Sequence, residues 1–220
     1  MNFTFSLCDY FYSMSIEHYN IYIDSKKKTN DLSNNNNYYD VLSHSPEENL
    51  LFQQYYYKGH SSAIASIVFQ AFAVESFINY YGSKKLGKNM FHDHYDRIGI
   101  IDKIIIIPKI ATGKDFPKGE KVFELIKKLF SKRDKLVHHK GKEINFGDCN
   151  EDIFQSIMHH NIEFIFEDIE NIVNTYPLFI KTLAKLEGKE IDLYSEQQAE
   201  LEKEFQKTLI DTFKQIFQTE

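Results

Sequence analysis

The most sharply patterned stretch of the chain runs over 119–138. There Val122, Ile126, Leu129, Leu136 and Val137 recur at the spacing of one helix face, with Gly141 just past the expected end. Upstream, Ser45-Pro46-Glu47-Glu48 spells a helix start: a serine to cap free amides, a proline where no bond is lost, and two acids facing the dipole. The helix it opens is expected to reach about Tyr81, with a break near Gly59 and Gly82 as its stop. From Ala63 to Tyr81 it is apolar nearly all round, the mark of a central helix covered on several sides. Asn150-Glu151-Asp152 starts another long helix, interrupted or bent at Pro177, and Ser195-Glu196-Gln197-Gln198 starts a last one reaching about Phe217. The pattern therefore predicts helices near 47–81, 119–138, 151–176 and 196–217.

Three stretches are harder to place. Residues 1–23 are aromatic and apolar without a clean period, so helix and strand both stay open. Residues 25–40 hold Lys26-Lys27-Lys28 and Asn34 to Asn37, which reads as a polar loop. Ile104 to Ile107 before Pro108 suits a buried strand by propensity, or a short helix capped by Asp102 and ending before the proline. A lone strand has no evident partner, which favours the helix. The sum is an all-α, up-and-down helical bundle over 45–220, with 1–44 as an N-terminal appendage carrying the Asn-rich loop. No internal repeat is visible.

Composition narrows the setting. A chain of 220 residues, 42% hydrophobic and 15% aromatic, is long enough for one well-filled core. Cys8 and Cys149 form no CxxC pattern, which points away from a disulfide framework and toward a reducing, cytoplasmic compartment. The first residues lack the basic segment of a secretory leader, and the most apolar stretch, 62–82, is interrupted by Glu75, so no membrane span is expected. The net charge of −6 argues against a general coat for nucleic acid. Yet residues 101–145 hold 12 Lys and Arg against 6 Asp and Glu, leaving 14 against 26 elsewhere. A basic island on an acidic chain suits a focused anionic ligand, or simply a solvated helix face.

One residue inside that island is out of place. On an ideal helix the 119–138 stripe centres about 20° from Val122, and Arg133 falls at about 20° as well. A guanidinium there needs a carboxylate, a crevice or an interface, because stranding it in hydrocarbon costs several kcal/mol. Glu75 and Asn79, one turn apart on the central helix, are the available partners. His138 lies about 140° from Arg133 but shares a face with Asp134, which can fix its tautomer for acid–base work. His92-Asp93-His94 with Asp96, and His159-His160, offer metal-ligand types without a convincing arrangement. Thr112-Gly113-Lys114 looks like the end of a phosphate loop but lacks the upstream glycine and the following Ser or Thr.

Arg133-Asp134-x-x-x-His138 resembles the R-polar-x-x-x-H form of the Rx4–6H motif of HEPN domains, a family of small helical-bundle ribonucleases and relatives. Ala73-Val74-Glu75-Ser76-Phe77-Ile78-Asn79 resembles the "ALE..(I/L)N" helix of one bacterial branch. Lys109-Ile110-Ala111-Thr112-Gly113-Lys114 resembles its Pro-Lys-x-x-x-Gly-Lys linker, and Leu136-Val137-His138-His139-Lys140 its "LVHxK" ending. The resemblance covers roughly 60–145. It implies a homodimer that pairs two such motifs and cleaves RNA without metal or cofactor, as a toxin checked by an antitoxin partner or as an antiviral defence effector. His138 would move the protons, with His139 as the alternative at the looser spacing. Arg133 would steady the transition state, and Asp134 would fill the polar position. Glu75 and Asn79 would support them, with Lys132, Lys135 and Lys140 as the RNA-binding cations. The rival expectation is a catalytically silent dimer of the same kind, serving as a protein-interaction or nucleotide-sensing module.

Overall fold

A computed structural model of the protein describes residues 7–33, 45–137 and 166–188, and among these every regular element is a helix. In chain order they are α1 (Leu7–Leu32), α2 (Pro46–Leu86), α3 (Lys88–His94), α4 (Ile100–Thr112), α5 (Lys121–Val137), α6 (Ile169–Ile172) and α7 (Thr175–Glu187). The expected helix over 196–217 and most of that over 151–176 lie outside the described residues.

α2 is the axis of the bundle and touches each of the other described helices. Its start follows the sequence closely. Ser45 Oγ accepts from the Glu48 backbone amide, and the Glu48 carboxylate reaches back to the Ser45 amide at 3.1 Å. Its end does not. The helix passes through Gly59 without a break and through Gly82 without stopping, and ends at Leu86 before Gly87, whose φ of 88° favours glycine. Both inner glycines serve close approach. A Cβ on Gly59 would sit 3.2 Å from Ser25 Cβ, and one on Gly82 would sit 2.6 Å from a Phe91 ring carbon.

The N-terminal segment changes most relative to expectation. Residues 7–32 form one helix, so the loop read over 25–40 gives way to helix as far as Leu32. Ser15 faces Ser66 and Tyr22 faces Gly59, which lays α1 antiparallel along α2. The buried positions Cys8, Ser15 and Tyr22 are seven apart, a helical repeat that a count of hydrophobic residues overlooks because serine occupies it. Cys8 and Tyr22 join the same core as the rest of the chain, so α1 is a full member of the bundle.

α4, α5 and α7 gather around the C-terminal half of α2. Ile67, Val74, Ile78, Ile104, Ile107, Ile126, Leu129, Ile172 and Phe179 form the solvent-free centre. α4 settles the isoleucine run as helix, and the helix continues past Pro108 rather than ending before it. An interior proline costs about 3 kcal/mol, and fully burying Ile104 and Ile107 contributes about 1.5–3 kcal/mol each, enough to offset it. The helical path is interrupted near Pro177, as one of the two expected outcomes had it, but the break falls before the proline. The chain turns at 173–174, and Pro177 sits in the first turn of α7, where an amide is not needed. By length and composition α2 is able to cross a membrane, although half of its most apolar window is buried inside the protein, as in the central helix of a bundle.

Candidate functional site

The Arg133 neighbourhood is assembled from α5 and α2. α5 buries Val122, Phe123, Leu125, Ile126, Leu129, Phe130 and Lys132, and Arg133 lies within that arc, its side chain 21% exposed. The guanidinium lies over the Phe130 ring, 5.2 Å from its centre, an arrangement that suits a flat, weakly hydrated cation. Two carboxylates bracket it: Glu75 Oε2 is 3.7 Å from Nη2, and Asp134 Oδ1 is 3.2 Å from Nη1. Nε is buried and meets no acceptor among the described residues. The result is a half-buried cation with one firm partner, one loose partner and unused donor capacity.

Asn79 stands one turn beyond Glu75 on α2, but it does not meet Arg133. Its Oδ1 accepts instead from Lys103 Nζ at 2.9 Å. Lys103 is itself buried, on the inner face of α4 with Ile104, Ile107 and Pro108, and its ammonium lies 5.7 Å from the centre of the Phe91 ring. Phe91 in turn packs against the bare backbone of Gly82. Sequence reading missed Lys103. The available signal was its four-residue spacing to Ile107, which means something only once the isoleucine run is known to be helical.

The remaining candidates divide. Asp134 is more than half exposed. Lys135 is exposed, whereas Lys132 is only 8% exposed and does not present its charge to solvent as an RNA-binding cation would. The reason is geometric: Lys132 follows Leu125 by seven residues, about 20° short of two full turns, so it inherits the buried edge of the face. Burial pushes the Lys132 pKa down, with the charges of Lys135 and Lys128 adding to the shift and Glu167 and Asp168 opposing it. His138, His139 and Lys140 lie outside the described residues, as do His159 and His160.

Two alternative sites lose their shape. His92 Nδ1 meets Asp93 Oδ1 at 3.3 Å on the exposed last turn of α3, and no third ligand joins them among the described residues. Gly113, at φ 74°, is the left-handed cap that ends α4, with Thr112 Oγ1 bonded to the Pro108 carbonyl at 2.8 Å. The Thr112-Gly113-Lys114 run is therefore a helix C-terminus, its carbonyls outward, the reverse of a phosphate cradle. Compared with family models, curated proteins and solved structures, the chain matches none.

Proposed function

We propose that the protein is a metal-independent endoribonuclease of HEPN-like type, working as a homodimer in a toxin–antitoxin or antiviral setting. The observation that carries this reading is Arg133, a permanently charged planar group held half-buried on Phe130 and bracketed by Glu75 and Asp134, five residues before His138. In the proposed reaction the ribose 2′-oxygen loses its proton to a base and attacks phosphorus. The P–O5′ bond breaks, the leaving oxygen takes up a proton, and a 2′,3′-cyclic phosphate remains. His138 gives and takes those protons near neutral pH, and Arg133 carries the growing negative charge on the phosphorane. Lys135 and the rest of the basic island hold the RNA backbone, so binding weakens with salt.

A second reading has its own support. Glu75 and Asp134 each stand beside a terminal nitrogen of Arg133, as they would in a silent interaction or nucleotide-sensing module. One experiment separates the two. Purified protein incubated with single-stranded RNA in excess EDTA should leave cyclic-phosphate ends, and Arg133→Ala and His138→Ala should abolish this while still binding RNA. His139→Ala should be milder. Cleavage that stops in EDTA refutes the mechanism, and a wild type inert toward RNA favours the module.

A further inference from the structure

Resting on the ribonuclease reading, we infer that Lys103 is a positioning residue. It acts through Asn79, turning the Asn79 amide so that its nitrogen is presented as a hydrogen-bond donor to the RNA beside Arg133. An ammonium only donates, so the 2.9 Å contact from Lys103 Nζ must be to the amide oxygen of Asn79. The planar amide then directs its NH2 away from Lys103. Asn79 is only half-buried, and its nitrogen meets no acceptor among the described residues. Asn79 is four residues past Glu75, on the same face of α2 as the carboxylate that holds Arg133, and side chains so spaced lie about 5–6 Å apart at their Cβ atoms. A neutral donor one turn along α2 from the carboxylate that faces the guanidinium suits the non-bridging oxygens of a phosphodiester.

Lys103 is unusually well held for this task. It is only 4% exposed, its position fixed by the buried face of α4 and its ammonium lying against Phe91, which the absence of a side chain at Gly82 admits to α2. A lysine recruited only for charge would reach solvent; this one is committed to a single acceptor. Pre-setting the amide removes the cost of turning it when RNA binds.

The test is a double-mutant cycle in the full-length protein, with single-stranded RNA as substrate and melting temperature measured in parallel. Lys103→Met should lower kcat about tenfold with little change in KM, and Lys103→Arg should restore most of it. In an Asn79→Ala background, Lys103→Met should change kcat no further. Asn79→Asp, which keeps an acceptor for Lys103 and should fold at least as well, should lose cleavage because the donor is gone. Additive effects of Lys103→Met and Asn79→Ala, or unchanged kcat per folded molecule in Lys103→Met, overturn the inference while leaving the ribonuclease reading intact. A wild type that neither cleaves nor binds RNA overturns both.

Discussion

α2 carries polar groups on two of its faces, and the helices laid against them treat those groups in opposite ways. Toward α1 the polar groups are small and uncharged. Ser15 Oγ donates to the Ser66 carbonyl at 2.9 Å, Ser66 Oγ donates to the Ser15 carbonyl at 2.9 Å, and Gly59 lets Ser25 come close. Both serines are fully shielded. Toward α4 and α5 the polar groups are Glu75 and Asn79, each met by a cation from another helix, and neither is sealed from solvent. Hydroxyls that return their hydrogen bonds to backbone can be buried at little cost and let helices approach, so the first face is a seam. Charges cannot be sealed as cheaply, and where they are gathered at a half-open edge the arrangement favours a ligand over stability.

That contrast can be broken from either side, and the largest effect should come from the charged one. On the ribonuclease proposal, Arg133→Ala is expected to lower RNA cleavage at least about a hundredfold, roughly 3 kcal/mol of transition-state stabilisation and enough to remove visible product, measured under single-turnover conditions. Its effect on the denaturation midpoint should be much smaller. Ser66→Val should do the reverse, over-packing the α1 seam at about 2 kcal/mol of stability with cleavage per folded molecule unchanged, read from urea unfolding and rate together. Gly82→Ala should cost about 1–3 kcal/mol, because the new methyl meets the Phe91 ring, and it should also loosen Lys103.

Smaller effects sharpen the same picture. Tyr176 OH donates to Asp9 Oδ1 at 2.9 Å, joining α7 to α1, and Tyr176→Phe should cost about 1.5–3 kcal/mol as a hydrogen bond to a charged group is lost. Burial, the nearby Asp9 charge and the contact with Cys8 push the Tyr176 pKa above its ordinary value of 10.0. The folded state therefore holds this proton more tightly than the unfolded chain. The resulting stability is full below pH 10.0 and falls as pH climbs above it. Alkaline unfolding followed by circular dichroism should show that loss in the wild type and lack this component in Tyr176→Phe. Smallest of the set, Ser45→Ala removes a solvent-exposed cap from α2 and should cost about 1 kcal/mol without touching cleavage.

Some of this was legible in advance because its causes are local. The Ser45–Glu48 box, the Val122–Ile126–Leu129 period of α5 and the oddity of Arg133 in an apolar stripe all depend on residues within a few turns of one another and kept their place, whereas Val137, read into the same stripe, is 57% exposed. Where sequence reasoning faltered, the deciding group came from elsewhere. α1 looked patternless because its core positions are filled by two serines, a cysteine and a tyrosine, and the serines read as core only against the small residues of α2. Gly82 has the look of a helix stop, and only Phe91, nine residues on, gives it another purpose. Lys132 looked like a surface cation because the apolar arc of α5 was drawn too narrow, without Phe123 and Leu125.

What the sequence determined by itself, then, is the all-helical character, the start and axis of α2, the face of α5, and the need of Arg133 for a carboxylate. Propensity, capping and period act over a few residues and are written in order along the chain. Only the tertiary structure decided which carboxylate approached Arg133, that Asn79 went to Lys103 instead, and that a proline and two glycines lie within unbroken helices. Those outcomes turn on burial and on the meeting of groups far apart in sequence. A side chain's desolvation, and the partner that offsets it, exist only once the helices are laid together.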